Sequence, residues 1–189
     1  MSEIQKGIEI LKDGGIVIFP TDTAFGIGCR IDKESSVKRL FELRKRPLSQ
    51  AVPVLFDSIK MVEDYVEEIP EQVQSLMQKY WPGALTIVLS CKTDKVPSLV
   101  RGGGQTLGVR IPNHKITLEL IKGAGSPILG PSANFHGEKT PYKFEDLEPG
   151  LVQKADFAIH GITSEGNVST VIDCSVRPWK IIREGVIKL

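Results

Sequence analysis

Gly14-Gly-Ile-Val-Ile-Phe-Pro-Thr-Asp-Thr-Ala-Phe-Gly-Ile-Gly-Cys-Arg30 is the stretch on which the fold turns. Its apolar residues Ile16 to Phe19 are mostly β-branched and follow neither a period of 2 nor one of 3.6, which marks a short buried strand. Pro20 stops the run, and Thr21, Asp22 and Thr23 then set two hydroxyls around a carboxylate. Gly26 and Gly28 let the backbone pass close to another group. Small polar side chains at the end of a hydrophobic strand are where an open α/β sheet holds a small ligand. The stretch reads either as such a strand end or as a plain strand and polar turn.

Working outward, Ile4, Ile8 and Leu11 recur at helical spacing and Gly14 stands where a C′ glycine would, so a helix is predicted over 3–13. Asp32 is placed to cap a second helix over 33–44, with Val37, Leu40 and Phe41 inward. That helix runs into Arg44, Lys45 and Arg46 before Pro47. The helix dipole favours basic residues in a last turn, but three in a row exceed what it requires. Strands are predicted at 51–56, where Pro53 points to an edge or a bulge, and at 84–89, 106–111, 127–129, 156–159, 169–173 and 180–182. Helices are predicted after Asp57, after Pro70 and from Asn113, each with an apolar stripe that reads as core. Trp81-Pro82-Gly83 breaks the chain, with Trp81 as a packing anchor. Strands and helices together make an α/β fold.

Gly130-Pro131-Ser132-Ala133-Asn134 repeats the first design: a buried strand, a proline, then small polar side chains. A serine nucleophile would need a base and an orienter, and His136 is close in sequence, but Asn134 stands where Gly-x-Ser-x-Gly needs its last glycine, which argues against a serine hydrolase. Gly102 to Gly104 match neither common phosphate fingerprint and read as a flexible loop. Arg110, a cation inside an apolar strand, needs a partner if buried, and either a structural ion pair or a ligand would serve. Ser169 and Thr170 present hydroxyls at the start of one strand, and Arg183 ends the last. The polar stretch 135–150, with a short helix around 142–147, reads as a mobile loop. The set holds no nucleophile, metal cluster or acid/base pair of catalytic spacing. It describes a site that positions an anionic substrate, as phosphoryl and nucleotidyl transfer require.

The 189 residues carry Lys+Arg 24 against Asp+Glu 23, a net charge of +1, so no global field draws in nucleic acid or an anionic membrane. Cys29, Cys91 and Cys174 are odd in number and far apart, as expected of reduced thiols in a cytoplasmic protein. No apolar run approaches the ~20 residues of a membrane span. One domain over 1–189, with no additional C-terminal domain, is expected at this length.

Seven blocks in order carry a resemblance over nearly the whole length: GGIVIFPTDTAFGIGC, FELRKRP, YWPGALTIVL, TLGVRIP, GPSAN with GE soon after, STVID and IIREG. The chain resembles the YrdC family, the L-threonylcarbamoyladenylate synthases of the TsaC type. The resemblance implies a YrdC/RibB-like twisted mixed sheet with flanking helices and a concave central site. It also implies an activity: L-threonine, bicarbonate or CO2, and ATP with Mg²⁺ give threonylcarbamoyl-AMP and pyrophosphate, for threonylcarbamoyladenosine in tRNA. The threonine amine becomes a carbamate whose oxygen attacks the α-phosphorus, so the substrate supplies the nucleophile. By the same resemblance, Thr23, Arg110, Ser132 and Ser169 meet threonine or its carbamate, and Arg44, Arg46, Gln50, Thr106, Asn134 and Arg183 meet ATP. A TsaD-type transferase is the implied downstream partner. Departures are Arg44 for the family's usual lysine, Leu55 for a histidine of some relatives, and Tyr142 for a small hydroxyl residue. The competing expectation is a non-catalytic RNA-binding protein of the same fold, with weak tRNA or RNA binding.

Overall fold

The computed structural model describes residues 1–164 and 166–189. Helix α1 (Glu3–Lys12) starts at Ser2, whose hydroxyl accepts from the Gln5 N–H, and is followed by Gly14 at φ +86°. Strand β1 (Val17–Pro20) is wholly buried. The chain then reverses through Thr21–Ala24 and returns as β2 (Phe25–Gly28), antiparallel to β1. The glycines read as points of close approach therefore lie within a strand.

Helix α2 (Glu34–Arg44) follows, but Asp32 does not cap it. Its carboxylate is taken by Arg30 at 2.6 Å. Lys45, at φ 53°, ends the helix in a left-handed turn, which separates Arg44 on the helix from Arg46 beyond it. Strand β3 (Val54–Leu55) has only two residues, and it lies inside its sheet instead of at an edge. Pro53 is tolerated because it precedes the ladder, where its carbonyl accepts from Gly130 N–H at 2.9 Å.

Helix α3 (Ile59–Glu63) is capped by Ser58, not Asp57. Next come α4 (Glu71–Tyr80), β4 (Leu85–Ser90), β5 (Thr106–Arg110) and α5 (Lys115–Ala124). Asn113 does not cap α5, which starts at His114 without a side-chain bond and closes on Gly125 at φ 68°. Strand β6 (Ile128–Leu129), a 3₁₀ turn at Phe144–Asp146 and α6 (Pro149–Val152) follow. Helix α6 lies where only loop was expected. The chain ends with β7 (Phe157–Ala158), β8 (Thr170–Asp173) and β9 (Lys180–Arg183).

The strands form two sheets, ordered β2-β1-β7 and β6-β3-β5-β4-β8-β9. A seam joins them: Ile27 N–H donates to Pro131 O (3.0 Å), Leu129 N–H to Cys29 O (2.9 Å) and Ala133 N–H to Phe25 O (2.8 Å). Gly28 makes the seam possible, since a Cβ there would sit 2.0 Å from Leu129 O. Leu11 of α1 and Leu120 and Ile121 of α5 cover one face with Val17, Phe19 and Ile128, while the larger core lies beneath α2 and α4. Pairing register brings Leu55, Arg110, Thr86, Thr170 and Arg183 to one end of the larger sheet, opposite the end that holds Thr106 and Ser90. No helix among the described residues is long and apolar enough to cross a membrane.

Candidate functional site

The strand ends converge on a cavity of about 180 Å³ where the seam meets the larger sheet. This is less than the roughly 300–1,000 Å³ of a typical small-molecule pocket. Its floor is the Thr21–Ala24 turn. Arg110, at the end of β5, reaches across the seam to that turn and is 5% exposed. Its Nε donates to Gly83 O (3.0 Å), Nη1 to Thr23 Oγ1 (3.1 Å) and Nη2 to Asp22 Oδ1. Arg110 therefore has its structural ion pair, and one N–H remains on each terminal nitrogen for a ligand. Burial nonetheless lowers its pKa, outweighing the raising effect of Asp22.

Three more arginines point into the cavity, and none forms a salt bridge among the described residues. Arg44 is 3% exposed. Its Nε donates to Asn134 O (3.0 Å) and Nη2 to Asn134 Oδ1 (3.3 Å), while Nη1 is buried without a partner among the described residues. Burial, then the neighbouring charge of Arg46, push its pKa down to about 10, which leaves it charged at neutral pH. Arg46 donates to the carbonyls of Gln50 (3.2 Å) and Ala51, and partial burial lowers its pKa. Arg183 lies on an exposed strand, but its guanidinium folds back on Ser169, donating to the carbonyl and hydroxyl at 2.9 Å, and desolvation lowers its pKa too. Among the described residues the lining holds no carboxylate. With Asp22 set against Arg110, the remaining three guanidiniums have only neutral acceptors among the described residues, an arrangement suited to receiving an anion.

The hydroxyls complete the walls. Ser132 Oγ donates to Asn134 Oδ1, and Ser169 Oγ lies 3.0 Å from Thr86 Oγ1. Of the residues singled out in the sequence, Thr23, Arg44, Arg46, Arg110, Ser132, Ser169 and Arg183 thus line one cavity. Asn134 stands just behind it, holding Arg44 and Ser132, and faces an adjoining polar cavity of about 400 Å³ with Lys45 and His136. Gln50 and Thr106 do not line the cavity. Gln50 contributes its backbone carbonyl with its side chain exposed. Thr106 pairs with Ser90 four residues before Arg110, about 13 Å along the strand.

Leu55 forms an apolar wall. Tyr142 stays outside, its carbonyl accepting from Thr163, and Thr140 lines the cavity instead. Nor do Gly102 to Gly104 line it. Sequence reading passed over Thr86 and the bonding of Thr21 and Asp22. The polar turn was the signal for the last two, while Thr86 is one threonine in an apolar strand. Among the described residues no group of His, Cys, Asp and Glu could hold a metal ion.

The profile of the Sua5_yciO_yrdC family, described as telomere recombination, matches residues 9–185. The chain belongs to this family. A Bacillus subtilis member named threonylcarbamoyl-AMP synthase is 34% identical over 191 residues, covering 97% of this chain and 55% of the relative. A Pyrococcus abyssi protein of the same name is 37% identical over 180 residues, covering 95% of this chain and 53% of the relative. The crystal structure of P. abyssi Sua5 complexed with L-threonine superposes with a TM-score of 0.89 at 34% identity, covering 96% of this chain and 54% of that one. The chain spans about half the length of these relatives.

Proposed function

We propose that this Sua5_yciO_yrdC chain condenses L-threonine, bicarbonate or CO2, and ATP into threonylcarbamoyl-AMP, releasing pyrophosphate. The observation that carries the reading is the cavity lined by four arginines and, among the described residues, no carboxylate, set beside strand-end hydroxyls. Such a site supplies positioning and charge neutralisation and no nucleophile, which suits a reaction whose nucleophile is the carbamate oxygen of the substrate. The free N–H groups of Arg110, with Thr23, suit the amino acid carboxylate and amine. Arg44, Arg46 and Arg183 suit the triphosphate and the charge that develops on leaving pyrophosphate. The magnesium bound to ATP neutralises the remaining phosphate charge. Threonine binding by P. abyssi Sua5 supports the amino acid as substrate. The product would pass to a TsaD-type transferase for tRNA modification.

The RNA-binding alternative has less support, because the uncompensated charge is sunk in a cavity and the net charge is only +1. The test is pyrophosphate release from ATP and Mg²⁺, with threonine and bicarbonate each omitted in turn. Release that depends on both is expected. Release indifferent to threonine, or salt-sensitive RNA binding without turnover, would overturn the reading.

A further inference from the structure

The three glycines after Arg101 stand outside the cavity, yet the first of them packs under the segment that holds Arg46. Arg46 Nε donates to Gln50 O (3.2 Å) and Nη2 to Ala51 O, so two backbone carbonyls hold the guanidinium. Those carbonyls belong to a turn over 47–51 whose residues are all exposed, so no buried side chain anchors it. Backbone packing fixes it instead. Val52 N–H donates to Val100 O (3.0 Å), and a Cβ on Gly102 would stand 2.6 Å from Ser49 O and 2.8 Å from Ala51 N. Gly102 also lies at φ +57°, so both its conformation and its contact exclude a side chain. Arg101 straps the loop, its Nε donating to Val96 O (3.1 Å) and its Nη1 to Gly104 O.

We infer that Gly102 is a positioning residue: the glycine loop is a platform for the 47–51 turn, and through the carbonyls of Gln50 and Ala51 it aims the Arg46 guanidinium at an anion in the cavity. This deepens the synthase reading, on which it rests for the identity of that anion as pyrophosphate or the phosphates of ATP. The loop serves a phosphate without touching one, by close approach to another backbone and not through its own amides. Arg110, by contrast, is held by Gly83, Asp22 and Thr23. A change at Gly102 therefore reaches the phosphate end of the site and spares the amino acid end.

The experiment is a double-substitution cycle on the full chain, read by calorimetry with pyrophosphate and, in parallel, with L-threonine. Arg46→Ala should weaken pyrophosphate binding about tenfold, the worth of a hydrogen bond to a charged group. Gly102→Ala should weaken it severalfold in the parent and no further in Arg46→Ala, where the group it positions is gone. Gly102→Asn, which tolerates a positive φ but keeps the Cβ, should match Gly102→Ala. Gly103→Ala, at φ +79° with no described atom within 4 Å of the added Cβ, brings backbone strain without the contact and should leave the affinity unchanged. L-Threonine affinity should hold in every variant. An equal loss in both backgrounds, a loss shared by L-threonine, or parent-like pyrophosphate affinity in a folded Gly102→Ala would overturn the assignment. If the Gly102 variants fail to fold, hydrogen exchange decides: pyrophosphate should slow the Val52, Gly102 and Gly103 amides of the unmodified chain, though none of these residues lines the cavity, and should not slow them in Arg46→Ala. No slowing would overturn the assignment. Coupling retained in a chain that releases no pyrophosphate from ATP would support the assignment and overturn the synthase reading instead.

Discussion

Replacing Asp22 by alanine removes the counter-charge of a guanidinium whose side chain is 6% exposed. Deleting one member of a buried pair costs about 3–5 kcal/mol, because the other charge stays desolvated. Arg110 keeps its bonds to Gly83 and Thr23 and borders a cavity that water can enter, which puts the expected loss at the lower end, about 3 kcal/mol. At 2–4 °C per kcal/mol for a chain of this size, Tm should fall by about 6–12 °C. Asp22→Asn keeps an acceptor for Nη2 and should lose about half as much. The freed guanidinium also becomes a better anion receptor, so at one fixed pyrophosphate concentration Asp22→Ala should gain more stability than the parent does. Urea unfolding of the parent and both variants, with and without pyrophosphate, measures each quantity. A folded Asp22→Ala within about 1 kcal/mol of the parent would refute the account of Arg110 as a buried cation held by this pair.

Arg46→Ala should lower turnover by roughly 10–100-fold through lost phosphate neutralisation, and unchanged steady-state kinetics would remove it from the site. Pyrophosphate should raise the melting temperature of the parent, and should do so less in Arg44→Ala, since Arg44 Nη1 has no partner of its own among the described residues. Gly28→Ala should destabilise by more than about 3 kcal/mol, because its Cβ would meet the Leu129 carbonyl, a backbone atom that cannot swing away; thermal melting tests this. The Asp156 carboxylate accepts from Arg39 (2.7 and 2.8 Å) and from Ile16 N–H (2.7 Å), and these bonds, that of Arg39 foremost, hold its pKa below the usual 3.8. A depressed carboxylate pKa contributes stability above the unfolded value and loses it as pH falls through the folded one. Asp156→Asn should accordingly be less stable than the parent at pH 7, and urea titrations should show the two converging below pH 3.8.

Much of this architecture is legible in the sequence where one local rule decides. The β-branched run before Pro20, the helix ending at Gly125 and the Trp81 anchor, whose Nε1 donates to Leu85 O at 2.7 Å, follow from period, cap and chemistry. What local reading missed was decided by partners distant in the chain. Asp32 was a plausible cap until Arg30 claimed it, and Pro53 reads as an edge signal only if the strand is assumed to begin before it. The Phe25–Gly28 strand exists because its far side pairs with residues 127–133, about which two glycines in isolation say nothing. The site behaves likewise. Polar residues after Pro20 and Pro131 are visible as strand ends, and the family resemblance selects among them. Thr106 shares its strand with Arg110, however, and only pairing register shows that they sit at opposite ends.

The walls of the cavity come from Thr23 near one terminus and Arg183 near the other, closed by a seam between segments a hundred residues apart. A chain cut between those segments consequently lacks part of the cavity wall, and loop closures this long come late on the way to the native state. Binding in this cavity is thus linked to the joining of distant segments, and any ligand that occupies it protects the joined state from proteolysis.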